Sequence, residues 1–345
     1  MRLRSFLAAT VLGAISLLAI AGASHGQSVD AFYKVQNQIS VVVGFPPGSP
    51  YDLWARLLAR HMGKHIPGNP GMIVRNMPGA GSLTAANYLH NTAPRDGTSF
   101  GSFSRNMSAQ SLIGLENARF DPKGFGWIGS PELTFVVCAA TASTGITTVE
   151  QLRKSELFVG GTGPGSAPSF MPMVVNQLAG TRFKVIEGYR STEEIHLAME
   201  RAELGGICGA TYESFIRKEA EKIKAGKTKV LFNLEEERNP LLGGVPSIFE
   251  YISDPESRQM LTFVNMPQEL GRPFAAPPGV PQDRLHALRR AFDKTILDPE
   301  FIADAERQKL TITAQTGEEI ERKVNNLYTI PKSIIDKANA LMTRQ

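Results

Sequence analysis

Two polar, glycine-rich stretches hold the residue types best suited to a charged ligand. The first is Gly44-Phe45-Pro46-Pro47-Gly48-Ser49-Pro50-Tyr51-Asp52. It follows a β-branched run, Val41-Val42-Val43, and leads into Leu53, Trp54, Leu57, Leu58 and Met62 at helical spacing. Ser49 is placed to cap that helix, Pro50 fits its first position, and Asp52 lies three residues after the cap. A strand–loop–helix unit of this kind aims free backbone N–H groups and a positive dipole end at one spot, which is chemistry for an anion. The second stretch, Gly160-Gly161-Thr162-Gly163-Pro164-Gly165-Ser166-Ala167-Pro168-Ser169, follows Leu157-Phe158-Val159 and precedes Phe170, Val174, Val175 and Leu178 at helical spacing. Its glycines let N–H groups approach a ligand closely, and Thr162, Ser166 and Ser169 add hydroxyls, so it reads as an anion cradle.

Other chemistries lack the necessary spacing. Ala225-Gly226-Lys227-Thr228 contains GKT, but Glu221 stands where a Walker loop needs its first glycine. Gly161-x-Gly163-x-Gly165 misses a dinucleotide fingerprint because Ser166 occupies the final glycine position. His61 and His65 are four residues apart, with no glutamate between them and no third ligand nearby, and are read as two exposed helix histidines. Cys138 and Cys208 lack metal-ligand spacing, and each sits in a small apolar run; two unpaired core thiols are expected, although export would permit a bridge. Neither a serine-nucleophile elbow nor a paired-carboxylate site is expected. Glu235-Glu236-Glu237 reads as a solvated surface run.

The elements that position the two loops repeat one pattern. Residues 71–76 form a short strand running into Met77-Pro78-Gly79-Ala80-Gly81-Ser82, and residues 99–104 one running into Arg105-Asn106-Met107-Ser108, each ahead of a helix. From Phe135 the pattern restarts, with a capping box predicted at Thr147-x-x-Glu150. Strands at 184–186 and 206–208 lead into Glu187-Gly188-Tyr189-Arg190-Ser191-Thr192 and Gly209-Ala210-Thr211-Tyr212. The last third carries strands at 230–233, 274–276 and 310–313, a long helix over 281–297, and helices near 299–307 and 318–327. Alternating strands and helices predict doubly wound, mainly parallel α/β sheets, and a sheet that restarts and then returns predicts two lobes joined by crossing strands.

The 345 residues suffice for two domains, and 42% hydrophobic with 20% charged residues is the balance of a globular chain. A net charge of +4, with no basic stripe interleaved with aromatics, argues against nucleic acid as a partner. Residues 1–23 read as a secretory signal peptide: Arg2 and Arg4, an apolar core over 6–20, then Ala21-Gly22-Ala23 as a cleavage site. The mature chain is therefore expected outside the cytoplasm.

The chain resembles the periplasmic substrate-binding proteins of tripartite tricarboxylate transporters, the Bug-type receptors. The resemblance rests on VVVGFPPGSPYD (41–52), NMPGAGS (76–82), APRDGTSFG (93–101), GGTGPGSAP (160–168), GVPSIFE (244–250) and RPFAAPPGVPQDRLHALRRAFDKTILDPEF (272–301), in the family's order. It implies a two-lobed, type II-like Venus flytrap, with residues 28–136 in lobe 1, 137–270 in lobe 2 and 271–345 returning to lobe 1. It also implies capture of a small organic carboxylate, delivery to membrane permease subunits, a monomer, no enzymatic activity, no cofactor and no metal. By resemblance, Phe45, Pro47, Gly48, Ser49, Tyr51 and Asp52 grip the ligand carboxylate from one lobe and Thr162, Gly163, Gly165 and Ser166 from the other. Arg105, Asn106, Tyr189, Arg190, Thr211 and Tyr212 are expected to line the cleft. Two departures bear on the ligand. Many relatives place an aspartate after the 206–208 strand to meet a ligand amine, whereas Gly209-Ala210 stands here, which favours an acid without an ammonium group. Tyr51 replaces a smaller residue, and with Tyr189 it offers walls for an aromatic or bulky acid. An exported α/β enzyme acting on a small acid, or a ligand-sensing partner of a membrane receptor, are the alternatives.

Overall fold

The computed structural model describes residues 28–343 except Leu115 and Pro164; the expected signal segment lies outside the described residues. Strands β1 (Gln38–Val43), β2 (Gly71–Asn76), β3 (Ser99–Ser102) and β4 (Gly126–Ser130) come first. The chain then crosses to β5 (Val136–Thr141), β6 (Leu157–Gly160), β7 (Phe183–Ile186), β8 (Gly206–Thr211) and β9 (Thr228–Asn233), and returns for β10 (Phe274–Ala276) and β11 (Gln315–Thr316). In space these make a six-stranded sheet, β11-β4-β10-β3-β1-β2, and a five-stranded sheet, β7-β6-β8-β5-β9.

The sheets are mixed. β1 pairs in parallel with β2 and β3, and β6 with β7 and β8. β10 runs antiparallel to β3 and β4, β11 to β4, and β5 to β8 and β9. β5 and β10 are the strands by which the chain arrives from the other lobe. They start from the interlobe side, where the parallel strands end, and so run against them.

Burial on both faces explains the unbroken apolar runs in the sequence. Val41 and Val43 of β1 enter one core of lobe 1 while Val42 enters the other. In β5, Val136, Cys138 and Ala140 face one core of lobe 2, and Val137 and Ala139 face the opposite one.

Four expectations are corrected. Cys138 and Cys208 are not free thiols but a disulfide; the β5–β8 register sets them opposite each other, fully buried, at a sequence separation of 70. The capping box lies one residue later than expected, at Thr148 and Gln151, because the Gln151 N–H reaches the Thr148 hydroxyl at 3.2 Å. The strand expected over 310–313 forms at Gln315–Thr316 beside β4, leaving Thr313 a lone bridge to Glu132. The final helix, Lys332–Thr343, does not stay with lobe 1: Ile334, Ile335 and Ala338 join the lobe 2 core with Met260, Leu261 and Val264. The chain therefore crosses between lobes a third time after the helix Gly317–Leu327.

The crossings run against one another. Gly271 has φ +63°, and a Cβ there would collide with the backbone carbonyl of Glu132, so only glycine fits where the two segments meet.

Closing a loop of this length by a disulfide is worth roughly 2–5 kcal/mol. The Cys138→Ala/Cys208→Ala double variant is expected to lose that much unfolding free energy in a urea titration. An unchanged midpoint would contradict the bridge.

Candidate functional site

The first loop is built mainly to hold itself. Ser49 caps the helix Pro50–His61, its Oγ accepting the Asp52 N–H at 3.3 Å. The Asp52 carboxylate accepts from the Gly48 N–H at 2.8 Å, Arg56 Nε at 2.8 Å and Asn76 Nδ2 at 2.7 Å, tying the loop to the end of β2. Burial opposes ionisation of Asp52, but the hydrogen bonds from Arg56, Gly48 and Asn76 outweigh it and hold the carboxyl below its usual range. Ser49 and Asp52 are both 1% exposed, and neither lines a cleft cavity. Pro47 and Gly48 form an exposed tip that lines neither cavity.

Behind this tip lies a small interlobe cavity of about 60 Å³. Lobe 1 contributes Phe45, Tyr51, Ser104, Arg105 and Asn106, lobe 2 contributes Thr162, Ser166, Ser191, Gly209 and Thr211, and Arg272 comes from the return crossing. Four helices begin at or beside this point: Pro50–His61, Ala167–Ala179, Thr192–Glu200 and Tyr212–Lys224. The cap residues Ser166, Ser191 and Thr211 make no side-chain cap bonds. The converging N-termini create a positive potential beside a cavity lined mostly by buried residues.

Two buried guanidinium groups add to it. Arg105 is 4% exposed; its Nε donates to Gln268 Oε1 at 2.5 Å and its Nη1 to the Gly271 carbonyl at 3.3 Å. Gln268 Nε2 in turn donates to Asn106 Oδ1 at 2.6 Å. The Arg105 N–H donates to the Tyr51 hydroxyl at 3.3 Å, and the Tyr51 ring stacks on Phe45 with centroids 4.6 Å apart. Arg272 forms a buried ion pair with Glu132 and reaches across to lobe 2, its Nη2 donating to Thr211 Oγ1 at 2.9 Å and Ser214 Oγ at 2.6 Å. Glu132 also accepts from Trp54 Nε1 at 2.9 Å. Burial lowers Arg105, and it lowers Arg272 to about 9; both stay cationic at neutral pH.

At Phe45 and Thr162 the small cavity adjoins an open cleft of about 1060 Å³. The cleft is walled by Phe45, Leu83, Ile113, Phe170, Met173 and Tyr189, with Glu116, Glu187 and Arg190 as its charged groups. Arg190 is exposed and bound to Glu194 at 2.5 Å. The second loop meets lobe 1 directly. Gly163 has φ +103°, and a Cβ there would lie 3.0 Å from the Gly81 N. Its hydroxyls form a chain: Thr162 Oγ1 donates to Ser166 Oγ at 2.7 Å, Ser166 to Ser169 Oγ at 3.1 Å, and Ser169 to Glu187 Oε2 at 3.0 Å. Their protons are thus directed to Glu187 rather than into the cleft.

Of the residues expected to line the cleft, Phe45, Tyr51, Arg105, Asn106, Thr162, Gly163, Gly165, Ser166, Tyr189, Arg190 and Thr211 border one cavity or the other. Tyr212 does not: it stacks on Phe135 at 4.7 Å and lines a separate pocket with Leu242 and Val245. Arg272, Gln268, Glu132 and Glu187 carry no local sequence signal for a site. Arg272 lies within the RPFAAPP motif but has no neighbour in sequence that marks it as buried.

His61 and His65 are half-buried rather than exposed, each against a carboxylate, Asp304 at 3.1 Å and Asp298 at 2.8 Å. His61, Asp298 and Glu300 cluster closely, but the Lys64 ammonium already occupies Asp298 at 2.6 Å and Glu300 at 2.5 Å. A cation would have to displace it. Contrary to the expectation of no serine elbow, two pentads match the G-x-S-x-G spacing. Gly22-Ala23-Ser24-His25-Gly26 lies outside the described residues, and in Gly97-Thr98-Ser99-Phe100-Gly101 the serine is buried inside β3 rather than on a strand-to-helix turn.

No family model matches the chain, and no curated protein matches it. Solved structures do share its fold. A TctC solute binding protein from Polaromonas, without ligand, is 20% identical with a TM-score of 0.59, over 87% of this chain and 98% of that one. The periplasmic binding protein BugD is 20% identical with a TM-score of 0.66, over 87% and 97%. MatC from Rhodopseudomonas palustris with bound malate is 18% identical with a TM-score of 0.65, over 86% and 98%. The fold is thus that of a two-lobed α/β solute-binding protein.

Two substitutions probe the scaffold of the site. Arg272→Met strands a buried carboxylate and is expected to cost about 3–5 kcal/mol of stability. Adding Glu132→Gln should recover part of the loss in chemical denaturation; a single variant as stable as wild type would contradict the pairing. For Asp52, the lowered pKa means its contribution is present above about pH 4 and is lost as pH falls through the lowered value. Asp52→Asn is expected to unfold roughly 1.5–3 kcal/mol more easily than wild type near neutral pH, with the gap closing in acid. A gap of constant size down to about pH 2 would contradict this role.

Proposed function

We propose that this chain is an extracytoplasmic solute-binding protein that captures a small organic carboxylate between its lobes and delivers it to the permease subunits of a tripartite tricarboxylate-type transporter. The observation that carries this reading is the small interlobe cavity, lined from both lobes, at which four helix N-termini and two buried arginines converge. Positive potential among buried groups favours an anion, and contacts from both lobes couple binding to closure. The malate held by the similarly folded MatC points to the same ligand class. The family motifs point to the transporter and to periplasmic delivery by a monomer.

In this reading Tyr51 and Phe45 form the floor on which the head group rests. The backbone N–H groups of the helix starts hold its oxygens, with bridging waters completing the contacts.

Calorimetric titration of the mature protein with a panel of organic acids tests the proposal. Binding of one acid per chain is expected at about micromolar Kd, or roughly −8 kcal/mol. A hundredfold excess over Kd should raise the unfolding free energy by about 2.7 kcal/mol. Recovery of the acid chemically altered would point instead to an enzyme, and absence of binding across the panel would remove the reading.

A further inference from the structure

Head group and body of the ligand face different surroundings in this cleft. Resting on the carboxylate reading above, we propose that the ligand is a monocarboxylate with an extended apolar or aromatic body. Its head group lies against Arg105 in the deep cavity and its body along the open cleft, whose acidic wall disfavours a second carboxylate.

The head-group end is set by an imbalance between the two buried arginines. Arg272 is matched by the Glu132 carboxylate and by two hydroxyls. The Arg105 side chain meets only neutral acceptors, the Gln268 amide oxygen and the Gly271 carbonyl, and its Nη2 makes no hydrogen bond among the described residues. The carboxyl that acts on Arg105 is Glu213, which is hydrogen-bonded by Thr134 and whose pKa is raised by burial. A guanidinium this buried without an ionic partner is suited to a ligand carboxylate. The adjoining volume of about 60 Å³ has room for a carboxylate or a few waters.

The body is set by the outer cleft. Its volume of about 1060 Å³ is far larger than a four-carbon acid fills, and Leu83, Ile113, Phe170, Met173 and Tyr189 supply apolar walls. Its charges are unfavourable to a second anion. Glu116 and Glu187 are exposed there, while the Arg190 guanidinium is already engaged by Glu194. A distal carboxylate would meet two like charges and no free cation among the described cleft residues.

Calorimetry on the mature full chain with four probes, hexanoate, adipate, 4-phenylbutyrate and 4-phenylbutyramide, tests this directly. Hexanoate and adipate have the same chain length and differ only in the distal carboxylate. Hexanoate is expected to bind at least tenfold more tightly than adipate, and 4-phenylbutyrate most tightly, at least tenfold better than its neutral amide. Glu187→Gln should narrow the gap between hexanoate and adipate. Arg105→Met should weaken 4-phenylbutyrate at least tenfold, and Arg105→Lys, which keeps a charge should the methionine variant fold poorly, should weaken it several-fold. Adipate binding as tightly as hexanoate overturns this inference while leaving carboxylate capture intact. Wild-type affinity in either Arg105 variant overturns the head-group assignment. An amide that matches its acid, or failure of every acid to bind, overturns both readings.

Discussion

The cleft depends on one buried ion pair, Glu132 with Arg272. Each partner is 2% exposed, and two charges removed from water stabilise a fold only when their remaining hydrogen-bonding groups are also served. The Trp54 indole serves Glu132 from lobe 1, and the Thr211 and Ser214 hydroxyls serve the Arg272 Nη2 from lobe 2, while the Arg272 Nε is left without a hydrogen bond. Glu132 lies on the outward crossing and Arg272 on the return, beside the glycine that lets the two segments meet. The pair therefore links the crossing segments to lobe closure: separating the lobes removes both hydroxyls that accept from the Arg272 Nη2. Cooperative networks of this kind lose more than the sum of their parts when one member leaves.

Around that pair, the side chains that look most suited to a ligand are largely occupied with their own scaffold. Ser49 caps its helix, Asp52 gathers three donors, and the hydroxyls of Thr162, Ser166 and Ser169 are directed along a chain to Glu187. This internal bonding fixes both loops in place beside the cavity. In the proposed reading such a fixed site loses little ordering entropy when an anion binds.

The opening loop was legible in the sequence because every signal in it is local. The valine run, the serine cap, the proline at the first helical position and the helical apolar spacing all lie within about two dozen residues, and the structure keeps each of them. The second loop was legible for the same reason, since its strand, its glycine-rich turn and the following helix are contiguous in the chain. What sequence left hidden is non-local. The disulfide depends on the pairing of strands 70 residues apart, and the reversed strands β5 and β10 depend on the side from which the chain enters each sheet. The last helix has an amphipathic pattern that fits either lobe, and only packing against Met260, Leu261 and Val264 assigns it to the second. Arg272 is the clearest case. Nothing beside it in the chain marks a buried charge, since its partners lie at positions 132, 211 and 214.

The central claim is that the interlobe cavity holds an organic acid, and native mass spectrometry of the protein freshly purified from its exported form tests it most directly. The account predicts one small molecule per chain, released on denaturation and detected intact as a carboxylate anion. A released molecule that lacks an acidic group would contradict it, as would a covalent adduct on the chain.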